Sequence, residues 1–183
     1  MKSALKIVAV CLTVFLASCE QEPTLQEYYV DAQEKSGIIT FDIPTSLMTG
    51  ENSNLDPEQK RILETINKVN VLAIPSNEGS FTAEKERVSS ILNDERYNLL
   101  MKVNDNGKQF KVMYLGEDDA IDEIVAFGVD QDRGFGLARI IGDQMNPEEI
   151  MKLASSMKDG DLNVSGVQEF LKGIDTSGFE RKD

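Results

Sequence analysis

The stretch Tyr97–Ile141, YNLLMKVNDNGKQFKVMYLGEDDAIDEIVAFGVDQDRGFGLARII, decides the fold. It holds four apolar runs: Tyr97 to Val103, Gln109 to Leu115, Ile121 to Val129 and Phe135 to Ile141. Short polar turns separate them. The first is Asn104-Asp105-Asn106-Gly107, whose Asn-Gly end suits a tight hairpin, since both residues tolerate positive φ. Gly116-Glu117-Asp118-Asp119 and Asp130-Gln131-Asp132-Arg133-Gly134 are the others. Regular strand length with short turns predicts an antiparallel meander. Strict alternation puts Tyr97, Leu99, Met101 and Val103 on one face of their strand and Leu100 on the other. In the next strand Phe110, Val112 and Tyr114 oppose Met113 and Leu115, so both faces of the sheet carry large apolar side chains.

Upstream of the meander, Thr82 to Asn93 reads as a helix with Val88, Ile91 and Leu92 facing inward. Val71-Leu72-Ala73-Ile74-Pro75 reads as a short buried strand. Before it, Asp56-Pro57-Glu58-Gln59 is a helix start: Asp56 caps, Pro57 suits the first helical position, and Gln59 completes a capping box. Ile62, Leu63, Ile66 and Val69 would be that helix's apolar stripe. Residues 49–56 read as a loop, and Ile38 to Ile43 as a strand stopped by Pro44. Downstream, Asn146-Pro147-Glu148-Glu149 predicts another capping box, with Ile150, Met151, Leu153, Ala154 and Met157 as the stripe. The strand–helix–strand step over residues 71–103 predicts a right-handed crossover. The expected fold is α+β: a two-layer sandwich with a mostly antiparallel sheet of about five strands and about three helices, over residues 37–157. Residues 158–183 contain Gly160, Gly166, Gly173 and Gly178 and few large apolar residues. They are expected to be a mobile tail, with one weak helix over Val164–Leu171.

The N-terminus reads as an address. Lys2 and Lys6 precede an apolar run from Ile7 to Ala17, about half of the roughly 20 residues that span a bilayer. The run ends at Leu16-Ala17-Ser18-Cys19, which resembles the lipobox of bacterial lipoproteins. The resemblance implies a signal peptide over residues 1–18, cleavage between Ser18 and Cys19, and acylation of Cys19. Residues 19–36 would then be the lipidated cysteine and a polar tether, with Tyr28-Tyr29-Val30 its only apolar island. In a precursor, Lys2 to Ala17 should form a lone helix with few contacts to the domain.

Composition narrows the function. The 183 residues carry 19 Lys plus Arg against 32 Asp plus Glu, a net charge of −13. Removing residues 1–18 takes two lysines and no acid, leaving −15. Such a chain does not collect phosphate backbones, so no nucleic-acid partner is expected. There is no His. His triads, His general bases and His metal ligands are therefore excluded. Cys11 would leave with the signal and Cys19 is committed to lipid, so no thiol remains for a disulfide, a nucleophile or zinc. No cofactor and no metal is expected.

Beyond the lipobox, the body resembles a family of small lipoproteins of the Bacteroidota classed only as a domain of unknown function. The residues that carry this are Leu25-Gln26-Glu27-Tyr28-Tyr29-Val30, Phe41-Asp42-Ile43-Pro44, and Gly134-Phe135-Gly136-Leu137-Ala138-Arg139-Ile140-Ile141-Gly142 running into Met145-Asn146-Pro147. The resemblance implies location and fold, and supplies no catalytic residues.

Three constellations stand out. Glu117, Asp118, Asp119, Asp122 and Glu123 are the densest charge group, but no Asp-x-Asp-x-Asp-Gly loop is present and a solvated turn explains them. Asp130 and Asp132 flank Gln131 as turn residues do. Arg139 sits inside an apolar strand on the face of Phe135, Leu137 and Ile141, where a charge needs a partner or an anion. Glu123 on the neighbouring strand is the candidate partner. Ser89-Ser90 and Ser155-Ser156 lie in no nucleophile elbow. The expectation is a non-enzymatic, lipid-anchored envelope protein, the outer membrane favoured over the inner, that binds an envelope protein partner through its sheet. The alternatives are a carrier or sensor of an apolar small molecule and, last, a carboxylate-based enzyme.

Overall fold

The structure, a computed structural model, describes residues 23–45, 55–118 and 120–158, with side chains as far as Leu153. The signal segment, Cys19, residues 46–54, Asp119 and the tail after Lys158 lie outside the described residues, as do the side chains of Ala154 and Met157. In chain order the elements are α1 (Leu25–Gln33), β1 (Ile39–Pro44), α2 (Pro57–Glu64), β2 (Ile66–Pro75) and α3 (Phe81–Ile91). They continue with β3 (Asn98–Asp105), β4 (Lys108–Glu117), β5 (Ala120–Asp130), β6 (Gly134–Met145) and α4 (Pro147–Lys158). The fold is α+β, built on one open sheet in the order β1-β2-β6-β5-β4-β3. Every neighbouring pair is antiparallel. The described residues thus form six strands and four helices, one of each more than expected.

The meander is present: β3 to β6 pair in sequence. Its first turn has Asn106 at φ 45° and Gly107 at φ 80°, and Asp105 pairs with Lys108 across it. That is a two-residue turn of the hairpin-favouring hand. β2 and β3 run in the same direction but do not pair, because β6, β5 and β4 lie between them.

Three local expectations are corrected. Residues 25–33 are not tether but helix α1, capped by Thr24 and Glu27 acting reciprocally. Leu25, Tyr28, Tyr29 and Ala32 fall at i, i+3, i+4 and i+7, and all four are buried. The second correction concerns the stripe of α2. The helix stops at Glu64, and Ile66 and Val69 belong to β2, which is ten residues long. β-Branched residues recur along that segment and favour the extended chain once it pairs with β6. The third is a register shift between Leu99 and Met101. Leu99 stands opposite Met113, while Met101 stands opposite Val112, so the two leucine-strand neighbours face opposite sides. One extra residue in a bulge inverts every later side chain, which strict alternation misses.

Alternation divides the core in two. Leu72, Ile74, Val125, Phe127, Phe135 and Leu137 point to one face and pack with α1 and α3. Val112, Ile121, Ile124, Met145 and Ile66 pack with Ile62 and Leu63 of α2 and Ile150 and Leu153 of α4. The α4 start is half a capping box. Asn146 Oδ1 accepts from the backbone N–H of Glu148 at 2.9 Å and Glu149 at 3.3 Å, while the Glu149 carboxylate turns to Arg61 at 2.5 Å and ties α4 to α2.

Candidate functional site

A row of polar side chains crosses the sheet beneath α1, buried at Asn70, Arg139 and Glu123 and exposed at its Asp42 end. Register places Asp42 opposite Asn70 and Asn70 opposite Arg139. Arg139 Nη2 lies 2.6 Å from Glu123 Oε2, and their side chains are 10% and 6% exposed. Arg139 Nη1 also donates to Gln26 Oε1 of α1. Asn70 Nδ2 donates to Asp42 Oδ1, which accepts from the Tyr29 hydroxyl at 2.8 Å as well. Arg139 Nε, Glu123 Oε1 and Asn70 Oδ1 have no protein hydrogen-bond partner. Tyr97 lies in the field of this pair. Burial first, then the Glu123 carboxylate, push its hydroxyl up to about 12. Burial likewise drives the Tyr28 and Tyr29 hydroxyls well above the ordinary phenol range. The arrangement fixes α1 to the sheet. Arg139 is already engaged from two sides, so an external anion would have to displace Gln26 or lift α1.

A second set of contacts clamps α1 to α3. The Tyr28 ring lies 5.9 Å from Lys35 Nζ and 5.3 Å from the Arg87 guanidinium. Lys35 pairs with Glu84 at 2.6 Å and Arg87 with Asp31 at 3.1 Å.

The described members of the acidic turn do not converge. Asp118 Oδ1 accepts from the Tyr114 hydroxyl, Asp122 is exposed and Glu123 is buried on the far side of the strand. Among the described residues no three His, Cys, Asp or Glu side chains are placed to hold a metal. Asp130 accepts from the backbone N–H of Asp132 at 3.0 Å, and that bond with the nearby Lys108 holds its carboxyl below the usual range.

The open surface lies elsewhere. Among the described residues six large hydrophobic side chains are exposed, and five of them, Leu99, Leu100, Val103, Phe110 and Met151, sit on β3, β4 and α4. Between the starts of α2 and α4 and the edge strand β3 runs an open groove of about 980 Å³. Ile62, Met101, Met151 and Leu153 supply apolar lining, and Asp56, Glu58, Glu148 and Lys152 supply charge. Reading the sequence strand by strand finds the apolar surplus but not the groove, because the bulge at Leu100 and the seating of α4 set its walls. No helix of the described residues is long and apolar enough to cross a membrane.

The fold and these sites define a small α+β domain with a polar row under α1 on one side of the sheet and an open apolar groove on the other. Residues 28–153 match the family model described as Domain of unknown function (DUF4252), and the chain belongs to that family. Neither a curated protein nor a solved structure matches the chain.

Proposed function

We propose that this chain is a lipid-anchored envelope protein, held through acylated Cys19, whose task is to bind another envelope protein without catalysis. The observation that carries the binding role is the concentration of exposed apolar side chains along β3, β4 and α4. Leu99 faces the other side of the sheet, but Leu100 and Met151 line the groove and Val103 and Phe110 share the sheet face of Met101 beside it, and such a patch marks an interaction surface where isolated exposed hydrophobics would not. The anchor reading is supported by Leu16-Ala17-Ser18-Cys19 behind a short apolar run, and the outer membrane is the favoured destination. Pull-down from crosslinked membranes should recover a stoichiometric partner, and Val103→Glu or Phe110→Glu should lose it. Recovery of the free monomer alone from both parent and variants would count against the reading.

A carrier of an apolar small molecule is the second reading. The groove favours it, since its volume lies near the top of the roughly 300–1,000 Å³ range of ligand pockets. Mass spectrometry of gently purified protein separates the two: a carrier retains a bound ligand, and an interaction module comes out empty.

A further inference from the structure

We propose that the groove takes one helix of a partner protein, apolar along one face and flanked there by lysine or arginine. This rests on the reading of the groove as a binding surface and adds the chemistry of the occupant. The first argument is geometric. On the groove side of the sheet, α2 and α4 pack over residues of β1, β2, β5 and β6 and reach Val112 of β4. The strip they leave open is β3 with the outer part of β4, where Met101, Val103 and Phe110 share one face. Two strands span roughly 10 Å, since neighbouring strands lie about 4.8 Å apart. That is the width of one α-helix with its side chains, about 10 Å. One more helix, laid beside α2 and α4, would continue the packing already present.

The second argument is charge. Asp56, Glu58 and Glu148 line the groove against one cation, Lys152. The chain as a whole carries −13. A second copy would bring the same acidic rim against itself, which like-charge repulsion disfavours. An anionic lipid surface meets the same repulsion. A basic flank on the side of the incoming helix that faces the starts of α2 and α4 meets complementary charge there.

The test uses the full chain in phosphatidylcholine nanodiscs and two fluorescent amphipathic peptides with leucines at i, i+3, i+4 and i+7. One has lysines beside the leucine stripe and the other glutamates. The lysine peptide should bind about tenfold tighter, the sum expected of two exposed charge pairs. That preference should shrink with salt. Glu58→Gln with Glu148→Gln should reduce it to within about threefold, and circular dichroism should show the fold intact, since both side chains are exposed. Equal affinity for the two peptides overturns the proposal. So does capture of phosphatidylglycerol vesicles through the same face, which would assign the groove to a membrane. If neither peptide binds while partners still crosslink from Leu100, the helix is wrong and the binding surface stands. If nothing crosslinks from Leu100 either, both readings fall.

Discussion

Replacing Arg139 by Met removes the cation from the row and leaves Glu123 without its paired counter-charge. The Glu123 side chain is only 6% exposed, and its Oε1 already lacks a hydrogen bond, so little water reaches it. Removing one partner of a buried pair costs about 3–5 kcal/mol, because the other charge stays desolvated. Against a typical total of 5–15 kcal/mol, that is about a fifth or more of the stability of a domain this size. The pair itself is held by one contact of 2.6 Å, with Arg139 Nε unpaired, so its desolvation is incompletely offset. Removing both charges should therefore be mild. Arg139→Met with Glu123→Leu should fall within about 1 kcal/mol of the parent or exceed it. Gln26, which loses the Arg139 bond in either variant, is exposed and returns to water. Urea unfolding followed by circular dichroism gives each free energy from midpoint and slope. A single variant costing under about 1 kcal/mol, or a double variant costing more than the single, would show that Arg139 is not what offsets the buried Glu123 charge.

Three further outcomes follow from the same structure. Leu25→Ala in α1 should cost about 2–5 kcal/mol by urea unfolding, since Leu25 is 1% exposed; a loss below about 0.5 kcal/mol would mean that α1 does not cover the core. Tyr97 is neutral in the folded protein up to about 12, against 10 for a free phenol. The unfolded chain therefore ionises first, so the contribution of Tyr97 to stability is complete below pH 10 and is lost between pH 10 and 12. Phenolate absorbance should rise together with unfolding rather than ahead of it. Cys19→Ala should abolish acyl labelling and leave an uncleaved precursor or a soluble protein, while Cys11→Ala should change neither; normal acylation of the Cys19 variant would remove the anchor.

The meander was legible because its cues are local: runs of strand-forming residues, an Asn-Gly turn and regular spacing. The same holds for Arg139, since a charge among Phe135, Leu137 and Ile141 demands a partner, and the antiparallel neighbour puts Glu123 one register step away. What was not legible depends on tertiary context. α1 hid in a polar segment because only four of its nine residues are buried, although the Thr24–Glu27 box and the Leu25, Tyr28, Tyr29, Ala32 spacing mark it. Ile66 and Val69 fit a helical stripe as well as a strand, and pairing with β6 decides between them. The bulge at Leu100 has no sequence signature of its own, yet it turns Met101 and Val103 to the sheet face of α2 and α4, and Met101 lines the groove.

The binding claim meets its most direct test in living cells carrying a photo-crosslinking residue at Leu100, with the same residue at Val30 as the control. Both positions are exposed and apolar, but Val30 lies on α1, on the sealed side of the sheet. One discrete protein adduct is expected from position 100, absent from position 30 and lost when Cys19→Ala releases the chain from the membrane. The same adduct from both positions, or no adduct from position 100, would contradict it.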